Sequence, residues 1–186
     1  MNLLIFLLFS ATVTAYGEVR QNFNSVIEKG LNSQINMELK AFYIYESMVA
    51  FFQRPDVGLQ GFEKMFRKSA DEELKHAREM IEYMNKRGGI YVPDAISLSS
   101  NDSWKGAYYA VNDALQKEKD VNSKIIELHV LAGNYGDPNT QNFLDDFLME
   151  QIHSIASLQV LISRFDRMKN YELAEFLIDE ELKNNK

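Results

Sequence analysis

Four segments of the sequence carry apolar residues at helical spacing, and a polar residue interrupts each apolar stripe near its middle. The interrupting residues are Glu38, Glu73 with His76, Glu118 and Gln151. A protein core normally excludes such side chains, because burying an unpaired carboxylate costs several kcal/mol. Carboxylates gathered in one layer also repel one another. The pattern therefore predicts a buried polar layer whose negative charge is neutralised by cations.

The four stripes place these residues in register. In the first helix, positions seven apart read Leu31, Glu38, Tyr45 and Phe52. In the second, the stripe reads Phe66, Ser69, Glu73, His76 and Met80. In the third, it reads Val111, Ala114, Glu118, Val121 and Ile125. In the fourth, it reads Leu144, Leu148, Gln151, Ile155 and Leu158.

The residue types favour a pair of divalent ions. Hard carboxylate oxygens with a single imidazole suit iron or manganese better than a metal that prefers thiolates. Glu73 and His76 are three residues apart and so share one helix face. Taken alone, each Glu is better explained by hydrogen bonds or solvation, and Tyr45 by a core position with a bonded hydroxyl. Their convergence on four helices carries the prediction, and beside metals Tyr45 would bond a ligand or donate an electron.

The elements that must position this layer are helices bounded by turn residues. All three prolines lie in breaks between long periodic segments, and Gly88-Gly89 ends the second segment. The third helix is expected to start after a cap at Asp102 or Ser103 and to end before Gly133. The other predicted helices cover residues 22–53, 57–86, 139–169 and 172–182, the last with apolar residues Leu173, Phe176 and Leu177.

Residues 90–103 lose helical periodicity and form a long crossover, which makes the second and third helices parallel. The predicted fold is all-α: a four-helix bundle with a long crossover between helices two and three and a short fifth C-terminal helix. A chain of 186 residues, of which 46% are hydrophobic, fits one domain. Its net charge of −7 argues against nucleic acid as a partner.

The first sixteen residues have the build of a secretory signal peptide. An apolar run from Leu3 to Leu8 is followed by small residues, and a run of this length does not span a bilayer. An N-terminal anchor and an apolar arm are the alternatives. We expect a leader over residues 1–16, a secreted domain over residues 17–186 and no membrane span in the mature chain.

Two further sequence features concern an exported chain. The sequence has no cysteine, so it must be held together by packing or by assembly rather than by disulfides. The triplet Asn101-Asp102-Ser103 fits the glycosylation pattern, although an unmodified helix-capping turn explains it equally well.

Over residues 20–182 the chain resembles a ferritin subunit of the iron-oxidising, heavy-chain type. The segments that carry the resemblance occur in order: RQNF, INMELKAFYIY, DEELKHA, KRGG, EKDVN, ELHVLA, GDP, MEQI and LAEFL. The resemblance implies a ferritin-like di-iron domain that assembles into a 24-subunit shell, either as a homo-oligomer or mixed with another ferritin subunit. It also implies that O2 or peroxide oxidises the iron, which is stored inside as a ferric mineral.

The resemblance further implies which residues bind the two irons of each subunit. One iron would be held by Glu38, Glu73 and His76. The second would be held by Glu118, with Glu73 as the bridge. Supporting roles would fall to Gln151, Tyr45 and Glu72.

Some positions depart from the pattern of the family. Inward positions that usually nucleate mineral with acidic side chains are Lys75 and Arg78 here, so nucleation is expected to be weaker or helped by a second subunit type. The threefold channel would present Asn142 and Asp145, with His129 nearby, and one lost carboxylate reduces its attraction for Fe(II).

Two assignments near the C-terminus follow from helical phase and from the resemblance. Glu150-x-x-His153 repeats the metal-binding pattern of bacterial relatives, but Gln151 falls on the buried stripe and the other two residues are turned away from it. In the last helix, Leu177 and Glu181 would line the fourfold axis. If that helix turns outward instead, it is an amphipathic tail packed on the bundle.

Four functions remain compatible with the sequence. The first is an exported ferroxidase that also stores iron. The second is a slow-oxidising extracellular carrier or storage subunit. The third is a non-ferritin di-iron oxygenase acting on an organic substrate, and the fourth is a metal-free helical interaction module.

Overall fold

The structure of the protein is a computed structural model that describes residues 19–98 and 104–184. The predicted leader over residues 1–16, the predicted caps Asp102 and Ser103, and the Asn101 triplet therefore lie outside the described residues. Within the described ranges there are no strands. The helices are α1 (Ser25–Phe52), α2 (Gln60–Lys86), α3 (Ala107–Asn134), α4 (Pro138–Met168) and α5 (Tyr171–Asn184).

Local sequence explains most of the helix ends. The side chain of Asn24 accepts a hydrogen bond from Val26 N at the start of α1, so this helix begins three residues later than residue 22. At the end of α2, Gly88 adopts a left-handed φ of 73°, and the following amide donates to Met84 O at 2.9 Å. Asp137 caps α4 through Thr140 N at 3.0 Å.

Contacts between side chains fix the directions of the four long helices. Phe52 of α1 stacks on Phe62 near the start of α2, so α1 and α2 are antiparallel. His129 of α3 contacts Asp145 near the start of α4, and Phe51 near the end of α1 contacts Trp104, which precedes α3. Helix α1 is therefore antiparallel to both α2 and α3. Helices α2 and α3 run parallel, which confirms the predicted bundle with its long crossover.

The core consists of two apolar clusters separated along the bundle axis. One cluster includes Phe52, Phe62 and Phe165, at the end where α1 finishes. The other includes Ile27 and Met84, at the opposite end. Each cluster draws side chains from all four long helices, and the four polar stripe residues lie between them. The bundle is thus held by apolar packing above and below the polar layer.

Side chains of α1 hold the start of the crossover. Glu28 accepts from Ile90 N at 2.8 Å, and Asn32 accepts from Val92 N at 2.7 Å. These bonds satisfy backbone groups that have no helical partner. No helix in the described ranges is long and apolar enough to cross a membrane.

Helix α5 lies across the end of the bundle and caps two helices. The Asp179 carboxylate accepts from Gly61 N at 2.6 Å and from Phe62 N at 3.1 Å, at the start of α2. One turn earlier, Glu175 accepts from Ala107 N at 2.5 Å, at the start of α3. The position of α3 thus depends on a distant acidic residue, and its start at Ala107 lies beyond the predicted caps at residues 102 and 103.

The buried face of α5 differs from its apolar sequence pattern. Ala174, Ile178 and Asp179 are buried. Leu173, Phe176 and Leu177 are 49%, 57% and 46% exposed. The apolar residues noted in the sequence of this helix therefore face away from the bundle, while the capping carboxylates face it.

Gly61→Ala is expected to destabilise the junction between α2 and α5. A Cβ at this position would lie 2.1 Å from the carbonyl oxygen of Asp179, so the two helices must separate. We expect the free energy of unfolding to fall by about 1–3 kcal/mol in urea titrations, with faster hydrogen exchange in α5.

Gly133→Ala is the matched control for this prediction. A Cβ at Gly133 meets only the flexible end of Gln141, at 2.8 Å, in an exposed turn of α3. Its free energy of unfolding should stay level or rise slightly, since alanine favours helix. Equal losses in both variants would contradict the proposed role of the Gly61–Asp179 contact.

Candidate metal centre

The four long helices bring one polar residue each into the layer between the apolar clusters. Glu38 of α1, Glu73 of α2, Glu118 of α3 and Gln151 of α4 are all buried, with exposures of 0%, 5%, 5% and 6%. His76, one turn after Glu73, lies at the edge of this layer with a side chain that is 15% exposed. Three carboxylates and one imidazole therefore share a site that is nearly shielded from water.

Glu38, Glu73 and His76 form a cluster with the geometry of a metal site. Each offers a ligand atom, and these atoms lie within 4.8 Å of one another. His76 Nδ1 is 3.7 Å from Glu73 Oε2. The Oε2 atoms of Glu38 and Glu73 are buried without a hydrogen-bond partner. Buried carboxylate oxygens that lack a donor are costly unless a cation coordinates them, so this donor set fits a divalent ion.

Glu118 forms the other side of the layer. Its Oε1 accepts a short hydrogen bond from the Tyr45 hydroxyl, which links α1 to α3. Gln151 Nε2 donates to the main-chain oxygen of Glu118 at 3.3 Å, which links α3 to α4. The side chain of Glu118 is thus held close to the cluster formed by Glu38, Glu73 and His76.

When no cation is bound, the electrostatics of the layer favour the protonated, neutral forms of its three Glu side chains. Burial, followed by the negative charges of Glu118 and Glu72, raises the pKa of Glu73 to about 8. Burial and the neighbouring Glu73 raise the pKa of Glu38 well above its ordinary value. Burial also raises the pKa of Glu118 and, together with the Glu118 charge, that of Tyr45. A metal bound here must displace protons from these acids.

Small side chains leave room beside the ligands. Ala70 and Ala77 lie one turn before and after Glu73, and both are fully buried. A cleft of about 400 Å3 between α2 and α4 reaches the layer, and its lining includes Glu73, His76 and Glu118. Ser154 and Ser157 line the same cleft from α4. The layer therefore has both volume for ions and a polar opening on one face of the bundle.

The residues predicted to support the site occupy different places. Tyr45 and Gln151 lie inside, in contact with Glu118. Glu72 lines the cleft but is 48% exposed and pairs with Lys68 at 3.4 Å. It therefore lies at the mouth of the cleft rather than among the buried ligand atoms.

The structure places Glu150 and His153, the alternative metal-binding pair of α4, in different environments. His153 is exposed on the surface of α4, while Gln151 occupies the buried position. Glu150 is 52% exposed, yet its Oε2 lies 2.7 Å from His76 Nε2. Glu150 thus holds the outer nitrogen of the imidazole and leaves Nδ1 facing Glu73.

Sequence reasoning missed two partners of the cluster. One is Glu150, whose contact with His76 crosses from α4 to α2 and has no signal in the periodicity. The other is Gln34, which is 2% exposed and donates from Nε2 to Glu38 Oε1 at 2.8 Å. Its position four residues before Glu38, on the same helix face, was a usable signal.

The predicted channel and nucleation residues lie outside the buried layer. His129 Nε2 contacts Asp145 Oδ1 at 3.1 Å, and Asn142 is exposed on the same helical hairpin. Lys75 and Arg78 are exposed on α2, where Lys75 pairs with Glu79 at 3.5 Å. These residues form surface groups, separate from the Glu38–Glu73–His76 cluster.

Comparison with known proteins gives consistent matches. Residues 28–168 match the model of the ferritin-like domain. The chain is 41% identical to the soma ferritin of Lymnaea stagnalis over 165 residues, which cover 88% of this chain and 94% of that protein. It is 39% identical to a ferritin of Pacifastacus leniusculus, covering 89% of this chain and 92% of the relative. It is also 37% identical to the ferritin middle subunit of Salmo salar, with 87% and 94% covered.

The pKa of Glu73 predicts how the stability of the metal-free protein depends on pH. A carboxyl whose pKa rises from 4.5 to about 8 on folding stabilises fully below pH 4.5 and loses that contribution as pH rises through 8. Relative to the unaltered chain, Glu73→Gln should therefore gain stability between pH 5 and pH 8.5, by on the order of a few kcal/mol.

Urea unfolding in the presence of a chelator at several pH values measures this gain. Glu79→Gln is the control, because the Glu79 side chain is 43% exposed on the same helix. Its difference from the unaltered chain should stay flat across the pH range. A flat difference for Glu73→Gln would show that Glu73 ionises in the folded protein as it does in the unfolded chain.

Proposed function

The chain belongs to the ferritin family, and on that premise we propose that it stores iron after oxidising Fe(II) to Fe(III) at the buried layer, as a heavy-chain-type ferroxidase. One observation carries the proposal: Glu38 Oε2 and Glu73 Oε2 are buried without a partner, beside His76 Nδ1. A cation site explains this arrangement, whereas a metal-free interaction module leaves the two atoms unsatisfied.

Each ligand has a defined place in this proposal. Glu38, Glu73 and His76 hold one Fe(II), and Glu118 holds the second. Glu73 bridges the two ions, since it lies between the Glu38 side and the Glu118 side of the layer and interacts electrostatically with Glu118. Gln151 positions the Glu118 backbone. Once deprotonated, the three carboxylates of the layer carry more negative charge than one divalent ion can neutralise, which favours two ions.

The proposed oxidation balances in electrons and protons. Two Fe(II) ions each lose one electron, and O2 takes up both electrons with two protons to give hydrogen peroxide. With peroxide as the oxidant, two further electrons and two protons give two water molecules. The raised pKa values of Glu38 and Glu73 mean that iron binding releases protons in the layer, close to where the oxidant needs them.

Tyr45 is proposed to hold Glu118 in place and to assist the oxidation of iron. Its hydroxyl donates to Glu118 Oε1, and burial together with the Glu118 charge raises its pKa. A neutral phenol therefore remains at physiological pH, holding the Glu118 carboxylate in place. When Tyr45 supplies an electron to the oxidant, its phenolic proton passes along the same hydrogen bond to Glu118 Oε1.

A second function is favoured by one observation, the basic side chains on the exposed face of α2. Lys75 and Arg78 stand where the family resemblance implies acidic nucleation residues. A chain with this surface fits a carrier or storage subunit that oxidises iron slowly and depends on another subunit for mineral growth. The two functions differ in the rate of oxidation under excess Fe(II).

The oxidation rate at two Fe(II) per subunit tests the ferroxidase proposal. The double variant Glu73→Gln, His76→Gln removes two ligands of one iron, one of them the proposed bridge to the second iron, while nearly preserving volume. We expect its initial rate of Fe(III) formation in air, followed by stopped-flow absorbance, to fall at least about tenfold.

The matched control is Glu79→Gln, Glu82→Gln, which removes two ionisable side chains from the exposed face of α2, outside the cleft. This control should oxidise iron at the unaltered rate. Equal, slow rates in all three proteins would overturn the ferroxidase proposal and favour the slow carrier.

Cell location and assembly are proposed from different parts of the chain. The apolar segment from Leu3 to Leu8 supports entry into the secretory pathway. The exposed apolar side chains of α5, among them Phe176, support burial against other subunits. We propose that the mature chain lacks residues 1–16 and assembles into a shell of 24 subunits.

Expression of the full chain in secreting eukaryotic cells tests both proposals. We expect a particle in the medium of about half a megadalton, because 24 chains of at most 21.5 kDa give that mass. Mass spectrometry should find residues 1–16 removed. A cell-retained product with an intact N-terminus would overturn the location, and a monomer or dimer by light scattering would overturn the shell.

A further inference from the structure

The two carboxylate oxygens of Glu38 have different environments. Oε1 accepts a hydrogen bond from Gln34 Nε2 at 2.8 Å. Oε2 is buried and has no partner. A carboxylate that is fully buried would normally satisfy both oxygens, so the asymmetry is a feature of the site. One oxygen is held by the protein, and the other is left for a ligand.

The Gln34–Glu38 contact is built into α1 alone. The two residues are four positions apart and share one helix face, so the bond forms whenever the helix forms. Gln34 is itself 2% exposed, in contrast to a surface glutamine whose amide exchanges between partners and water. On its outer side, it lines a cleft between α1 and α3 with Gly30 and Leu128. Gln34 therefore lies between this cleft and Glu38, and its side chain is nearly shielded from water.

The chemistry of the amide determines what it can do. Its NH2 group donates hydrogen bonds and cannot coordinate a cation while it does so. Binding Oε1 fixes the rotation of the carboxylate about its last torsion, which is otherwise broad. Glu38 offers one ligand atom to the cluster with Glu73 and His76, and the oxygen without a hydrogen-bond partner is the one free to bind a metal. Metal binding does not have to order this side chain.

We propose that Gln34 is a positioning residue for the metal held by Glu38, Glu73 and His76. It keeps Glu38 as a ligand through Oε2 alone and thereby raises the affinity of this site, while the site at Glu118 is set independently by Tyr45 and Gln151. The inference rests on the proposed di-iron function and specifies a residue that acts through a ligand. Its loss should weaken one of two metal-binding steps by about 10–100-fold.

Gln34→Met tests the inference, because methionine has a similar length and no hydrogen-bond donor. Purified, chelator-treated protein is titrated with Co(II) in the absence of any oxidant, by calorimetry and by the visible absorption of the bound ion. Glu38→Gln identifies which of the two binding steps uses Glu38. We expect the Kd of that step to rise about 10–100-fold in Gln34→Met, with a changed Co(II) spectrum, and the other step to stay unchanged.

Two further variants separate positioning from folding. Gln116→Met is the control, since Gln116 is exposed on α3 and donates only to Asp120 at 2.8 Å. Gln34→Asn keeps the amide but is one methylene too short to keep the bond, so it should weaken the same binding step. This variant provides the test if Gln34→Met does not fold. Both metal affinities should be unaltered in the Gln116 variant.

The other outcomes overturn the inference in distinguishable ways. Unchanged Co(II) binding with a lower free energy of unfolding in both Gln34 variants would mean that the amide only satisfies a buried acid. Equal weakening of both binding steps would show that Gln34 supports the whole layer rather than one ligand. Failure of the unaltered protein to bind two Co(II) ions would overturn the proposed function, and the inference with it.

Discussion

The structure depends on the placement of three carboxylates in one water-shielded layer. Their mutual repulsion and their loss of hydration both oppose folding, and among the described residues no buried Lys or Arg offsets them. Two apolar clusters, one on each side of the layer, hold the helices together against this repulsion and lost hydration. In the absence of metal the acids lower the cost further by keeping protons, as the raised pKa values of Glu38 and Glu73 indicate. Stability and site chemistry are thus supplied by different parts of the same bundle.

The long crossover also places two partially positive helix N-termini together at one end of the bundle. Because α2 and α3 run parallel, their N-termini and the partial positive charges of those termini lie at the same end. Neither helix has a side-chain cap from its own N-cap residue, Leu59 in one case and Gly106 in the other. Glu175 and Asp179, one turn apart on α5, supply both caps. The short fifth helix therefore satisfies two helix ends that the parallel arrangement of α2 and α3 brings together.

The sequence predicted the layer well because its signal is periodic. Glu38, Glu73, Glu118 and Gln151 each interrupt a stripe whose phase is fixed by several apolar neighbours, so an error at one position would not shift the others. Contacts that cross between helices carry no such signal. Glu150 was assigned to the surface from its phase, and it is half exposed, but its carboxylate still reaches His76. The start of α3 was misplaced for the same reason, since its cap comes from Glu175, nearly seventy positions later. The packed face of α5 had no clear signal in its sequence either, because it is formed by Ala174, Ile178 and Asp179 rather than by its leucines and phenylalanine.

The surface around the cleft has a different charge balance from the layer beneath it. Lys68 and Lys75 line the cleft; Lys68 pairs with Glu72 at its mouth, and Lys75 pairs with Glu79 farther along α2. Such exposed pairs contribute little to stability, but they lower the net negative charge that a departing Fe(III) ion would meet. Within the described part of the chain, in contrast, no buried Lys or Arg accompanies the ligands. In a chain that acts as proposed, the residues that bind iron and the residues that set the charge at the mouth of the cleft are therefore two separate sets.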